Sequence, residues 1–138
     1  MESDLRFDLP TVEPDTATWW ASLSRGVIQV ERCRSCDDVH LYPRTFCPRC
    51  WSDDVELEPA SGRASLYSFS VVHMMDLPPF GARVPYVVGI VELEEGPRLM
   101  TNIVGVQPTD VAIGMALRLK VRPLTDDLSA ADFEPMEA

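Results

Sequence analysis

The sequence predicts a mainly β protein: an N-terminal helix, a four-cysteine module on a short β ribbon, then a small closed barrel. Three observations carry this. All four cysteines fall within "CRSCDDVHLYPRTFCPRC" as two C-x-x-C pairs, Cys33 with Cys36 and Cys47 with Cys50. After the turn signal Ser61-Gly62, longer segments alternate apolar and polar residues, the period of half-buried strands. Before the cysteines, "EPDTATWWASLSRG" has the spacing and stop signal of a helix. The expected units are 1–26, an acidic segment and helix; 27–60, the cysteine module; 61–124, the barrel; and 125–138, an acidic tail or weak last strand.

In the helix, Asp15 is the expected N-cap, and Gly26 stands where a left-handed residue ends the last turn. Trp19 and Leu23 are i, i+4 neighbours, and Trp20 adds a second apolar surface. Two adjacent indoles cannot both face one core, so one anchors the helix and the other is offered to a partner or to the cysteine module. "VIQVER" (27–32) reads as a ribbon strand, with "HLYPR" and "WSDDVELEP" as further short β segments.

"RASLYSFSVVH" (63–73) sets Ala64, Leu66, Ser68 and Ser70 against Ser65, Tyr67, Phe69 and Val71. "MMDLPPFGARVP" (74–85) is too broken by Pro78, Pro79, Gly81 and Pro85 for a regular element. "YVVGIVELEE" and "RLMTNIVGV" flank Gly96-Pro97 and predict an antiparallel hairpin. "PTDVAIG" (108–114) predicts one helical turn capped by Thr109 or Asp110. "MALRLKVRPL" places Arg118, Lys120 and Arg122 on one strand face and Leu117, Leu119 and Val121 on the other. A weak last strand is expected near Phe133. Four or five strands so spaced, with a helical turn before the fourth, suit an OB-type barrel. Each half is small for a core of its own, so the two are expected to pack together, a metal offsetting the thin first half.

Two facing C-x-x-C turns make a tetrahedral S4 cage, which selects zinc, or iron in a rubredoxin-type site. Four cysteines close the shell and leave no open position for catalysis. The residue after the second cysteine of such a knuckle often needs left-handed angles; Asp37 tolerates them and Trp51 does so poorly. Disulfides fit less well, because "MESDLRFDLP" lacks the basic and apolar regions of a secretory leader. The expected compartment is the cytoplasm, where thiols stay reduced. No apolar run approaches the ~20 residues that span a bilayer.

The net charge of −10 is concentrated at the ends, −4 in residues 1–15 and −5 in 124–138, leaving −1 between them. A polyanion-binding protein shows a basic stripe, and none is present. The alternative of a single-stranded nucleic-acid-binding OB protein rests on Tyr67 and Phe69 sharing one strand face, with Arg118, Lys120 and Arg122 on another. Catalytic constellations are lacking: there is no spare cysteine, Gly-x-Ser-x-Gly or Gly-rich phosphate loop, and Asp76 pairs with no nucleophile. His40, beside the ribbon, and His73, ending a strand, read as surface or packing residues.

The motifs W-W-x-x-L-x-x-G (19–26), V-E-R-C-x-x-C (30–36), Y-P-R-x-x-C-P-x-C (42–50), S-G-R-A-S-L-Y-S (61–68) and V-x-L-E-E-G (91–96) occur in that order. In this the chain resembles the zinc-ribbon/OB-fold family catalogued as domain of unknown function thirty-five. The resemblance implies a rubredoxin-like ribbon with structural zinc on Cys33, Cys36, Cys47 and Cys50, followed by an OB barrel. It also implies a non-catalytic scaffold or obligatory subunit beside a thiolase-superfamily enzyme, whether acetyltransferase, acyltransferase or steroid side-chain aldolase, with room for its CoA-linked substrate. On that implication Arg34, Arg44 and Arg49 are candidate contacts for CoA phosphates, arginine being suited to bidentate phosphate binding. Trp19, Trp20, Met74, Met75, Leu77 and Phe80 are candidates for the partner interface, the last four on a proline-stiffened loop.

Overall fold

A computed structural model describes residues 6–136; Glu2, Asp4 and Glu137 of the acidic ends lie outside them. Helix α1 (Ala17–Ser24) follows a single 3-10 turn at Pro14–Thr16. Asp15 lies inside that turn and does not cap it. Instead the Glu13 amide donates to Thr16 Oγ1 at 3.3 Å, and the Thr16 amide returns to the Glu13 carbonyl. The helix stops as expected at Gly26 (φ 90°). The Gly26 amide reaches the Leu23 carbonyl and the Val27 amide the Ser22 carbonyl, satisfying two orphan acceptors in a Schellman closure.

Strands β1 (Gln29–Cys33), β2 (Val39–His40) and β3 (Val55–Pro59) form an antiparallel ribbon in the order β2-β1-β3. The other five strands, β4 (Arg63–Val72), β5 (Tyr86–Leu93), β6 (Arg98–Ile103), β7 (Ala116–Pro123) and β8 (Ser129–Pro135), close a barrel in the order β4-β5-β6-β8-β7. The expected hairpin is β5–β6, in register from Val87 opposite Ile103 to Glu92 opposite Arg98.

Three local expectations differ from the structure. Strand β4 does not alternate throughout, because a bulge between Leu66 and Ser68 slips the register by one residue. Ala64 and Leu66 face the core before it, Phe69 and Val71 pack against the core after it, and Tyr67 is left outside. The loop at 74–85 contains a 3-10 turn at Phe80–Arg83, in which the Ala82 amide bonds the Pro79 carbonyl at 3.3 Å. Before β7 the turn at Pro108–Asp110 follows Gln107, so neither Thr109 nor Asp110 caps it.

One core runs through both halves. Trp19, Leu23, Ile28, Val30 and Leu41 join Leu66, Val91, Leu117 and Phe133 of the barrel in a single buried cluster. In β5 the core-facing residues are Val87, Gly89, Val91 and Leu93. Gly89 is there because a Cβ would come within 3.0 Å of Ile103 and Leu66.

Candidate metal centre and binding cleft

The first knuckle, Cys33 to Asp38, and the second, Cys47 to Ser52, fold identically. The Asp37 amide bonds the Cys33 carbonyl at 2.8 Å, and the Trp51 amide bonds the Cys47 carbonyl at 2.9 Å. The Cys33 amide bonds the Asp38 carbonyl as the Cys47 amide bonds that of Ser52. Both turns require the left-handed residue expected after the second cysteine: Asp37 has φ 65° and Trp51 φ 70°. The poor fit of tryptophan does not prevent this geometry. Its ring lies flat on Phe46, centroids 4.9 Å apart, while the residue stays 74 % exposed.

The four sulfurs lie within 4.8 Å of one another. Cys33 Sγ is 3.6 Å from Cys50 Sγ, and Cys36 Sγ is 3.6 Å from Cys47 Sγ. Zn–S bonds of 2.3 Å in a tetrahedron put sulfurs about 3.8 Å apart, so the cage fits the ion. The thiols share their protons unevenly: the Cys36 amide draws the Cys33 pKa down to about 7, while at Cys36 the pull of the Asp38 amide is outweighed by burial and the neighbouring thiols, which push it up to about 12. The site is a structural zinc centre: all four donors are cysteines, held by two matching knuckles, with Cys33 and Cys47 buried and Cys50 exposed.

Beneath the cage lies a brace that sequence reading did not find. Glu31 is only 4 % exposed, yet its Oε1 lies 2.6 Å from His40 Nε2 and accepts the Arg44 amide at 2.8 Å. This ties β1 to β2 and to the chain entering the second knuckle. His40 is therefore neither a surface residue nor a plain packing one. Its Nδ1 is buried without a partner, so it is not presented to solvent as a proton acceptor. His73 and Asp76 are exposed.

The three arginines singled out for phosphate have different surroundings. Arg34 is paired with Glu56, and with Asp54 at 3.7 Å; Arg49 lies 3.8 Å from Asp38. Arg44 has no side-chain ion pair among the described residues. It lines a cleft of about 290 Å³ between ribbon and barrel, together with His40 and with Arg98, which lies 3.9 Å from Glu92. Tyr42, Leu99 and Met100 are shared with a neighbouring cleft of about 410 Å³, which reaches Trp20 and Phe80.

Of the six residues expected at a partner interface, Trp19 is withdrawn. It is 2 % exposed, its Nε1 donates to the Gln29 carbonyl at 2.9 Å, and Trp20 packs edge-on against it. Trp20 and Phe80 keep a surface in the larger cleft, and Met74 (85 %), Met75 and Leu77 are exposed on the adjoining loop. The stacking platform for nucleic acid is not assembled. The bulge puts Tyr67 outside and turns Phe69 toward the core, while Arg118 pairs with Glu134 at 2.9 Å and Arg122 with Asp132 at 2.6 Å. No helix of the described residues is long and apolar enough to cross a membrane.

Comparison with known proteins gives a consistent result. Residues 20–56 match the rubredoxin-like zinc ribbon domain of ChsH2, and residues 57–122 match the C-terminal OB-fold domain of ChsH2. The chain is 35 % identical over 126 residues to a probable enoyl-CoA hydratase alpha subunit of Thermomonospora curvata, matching 91 % of this chain but only 39 % of that longer protein. It is 38 % identical to a DUF35 domain-containing scaffold protein of Methanocaldococcus jannaschii, covering 70 % of this chain and 68 % of the relative. It is 32 % identical to the benzoylsuccinyl-CoA thiolase subunit BbsA of Thauera aromatica, covering 71 % and 66 %. Among solved structures it superposes on a chain of the Ltp2-ChsH2(DUF35) aldolase with a TM-score of 0.82 and 35 % identity, over 92 % of this chain and 98 % of that one. With its tetrathiolate ribbon, its five-stranded barrel and these matches across both, the chain belongs to the DUF35 family of ChsH2-type zinc-ribbon/OB-fold proteins.

Proposed function

We propose that this chain is a non-catalytic subunit that binds a thiolase-superfamily enzyme, an acyltransferase or aldolase, and helps accommodate its acyl-CoA substrate. The observation that carries the reading is the 0.82 superposition over nearly the whole length of a chain from an aldolase complex. The relatives called scaffold protein and thiolase subunit support it. The build of the chain is consistent: a metal-stapled ribbon shares one core with a barrel, and apolar side chains stand exposed beside an open cleft. Trp20, Met74, Met75, Leu77 and Phe80 form the partner face in this reading, and the cytoplasm is its compartment. Of the arginines, Arg44 is the one assigned to a CoA phosphate, because Arg34 and Arg49 already face carboxylates.

Co-expression with thiolase-like enzymes followed by size exclusion tests the subunit reading. The expected result is co-elution as a hetero-oligomer, and elution of the chain alone in every pairing overturns it. Titration of the complex with an acyl-CoA, repeated after Arg44→Ala, tests the phosphate contact. Weakened binding is expected, and unchanged affinity removes Arg44 from the account.

A further inference from the structure

The larger cleft is closed on one side by residues 7–10, which run without strand pairing across the gap between α1, β6 and the loop at 74–85. Its floor is apolar, with Trp20, Leu99 and Phe80. Two arginines enter it, and each is tied to an acid. Arg122 is held at 2.6 Å by Asp132, a residue of the neighbouring barrel strand. Arg83 is held at 3.1 Å by Asp8, which belongs to the covering segment and is also bound by Arg6 at 2.8 Å.

The cover is built with reversed polarity. The Asp8 side chain is only 5 % exposed, whereas Phe7, Leu9 and Val12 remain substantially open to water. A segment laid down by the hydrophobic effect buries its apolar side chains and leaves its carboxylate outside. What holds this one to the body is one ionic contact, Arg83 with Asp8, and the Arg6 guanidinium's bonds to the Leu124 carbonyl; contacts of this kind near a surface contribute little stability.

We infer that residues 7–10 are a displaceable cover whose Asp8 carboxylate occupies the anion position of a binding groove for an amphipathic anion, a phosphate or carboxylate head on an apolar chain. The head takes the place of Asp8 on the Arg83 guanidinium, which suits a two-oxygen acceptor. The chain lies along Trp20, Leu99 and Phe80. Cover and ligand compete, so apparent affinity is set by the fraction of molecules with the cover open. This concerns the free chain, in which Trp20 and Phe80, assigned above to the partner face, line the open cleft.

The test uses the full, metal-loaded chain titrated with dodecyl phosphate below its micelle concentration, read by tryptophan fluorescence, with thermal unfolding as a check on each variant. Asp8→Ala loosens the cover and is expected to tighten binding by about fivefold, the upper end for one ion pair at the surface. Amide exchange in residues 7–12 rises in the same variant. Adding Arg83→Ala to Asp8→Ala then removes the anion contact alone and is expected to weaken binding about fivefold from the single variant. Binding by Asp8→Ala no tighter than the parent, or binding by the double variant equal to Asp8→Ala, overturns the proposal.

Discussion

At the scale of single residues, Trp51 sets two effects of similar size against each other. A non-glycine residue in left-handed geometry costs about 1–2 kcal/mol, and an aromatic stack such as that on Phe46 returns about 0.5–1.5 kcal/mol. Trp51→Ala keeps the strain and loses the stack, so a loss of about 1 kcal/mol is expected in thermal unfolding. Trp51→Gly removes both and should lie within about 0.5 kcal/mol of the parent; if the two variants unfold alike, backbone strain has no part in the balance. Asp8 makes a pH prediction. Hydrogen bonds from Arg6, with Arg83 adding to them, hold its carboxyl at about 2 against an ordinary 3.8. A folded value below the unfolded one contributes stability above the ordinary value, and this is lost as pH falls through about 2. The Asp8 carboxyl carbon should therefore still be ionised by NMR at pH 3.8, where an unperturbed carboxyl is half protonated, with its midpoint at about 2. A midpoint at the ordinary value shows that the contact is absent in solution. Sequence pointed to the left-handed positions of both knuckles, since C-x-x-C geometry demands them locally. It did not point to the buried Glu31, because burial of an acid depends on His40 and Arg44, which the fold alone brings near it.

At the scale of elements, the last strand is the instructive case. "SAADFEP" offers one large apolar residue and two acids, so it reads as tail or weak strand. In the structure it pairs with β7 in unbroken register from Leu117 opposite Pro135 to Pro123 opposite Ser129. The acids are what disguised it: Glu134 stands directly opposite Arg118 and pairs with it, and Asp132, opposite Lys120, pairs diagonally with Arg122. The basic row of β7 and the acidic row of β8 are legible only as a pair. Phe133 then fills the barrel, and Phe133→Ala is expected to cost about 3–5 kcal/mol in denaturant unfolding. A cost under about 1 kcal/mol leaves β8 out of the core. Gly89→Ala should cost about 1–3 kcal/mol by overpacking, since both nearest side chains are themselves buried. The hairpin β5–β6 was legible because its turn and alternation agree. The bulge in β4 was not, since nothing local marks Tyr67 as an extra residue, and with it went the shared face on which nucleic-acid stacking depended.

At the scale of the whole molecule, the ribbon and barrel stand on one core, and the thiolate cage fixes the end of the ribbon farthest from help by hydrophobic burial. Metal binding is then expected to be coupled to the folding of the ribbon that carries the four cysteines. The overall architecture was legible because cysteine spacing and strand period are local signals. The partner face was legible only in part, because which of two adjacent tryptophans is buried depends on how the helix meets the ribbon. The account as a whole holds that this is a zinc-stapled body whose activity lies in the enzyme it binds. Native mass spectrometry of the chain co-expressed with thiolase-like enzymes tests that most directly. The account predicts a hetero-oligomer carrying one zinc for each copy of this chain, which loses the metal and the complex together on treatment with a strong chelator. A folded, metal-free monomer that associates with none of them would contradict it.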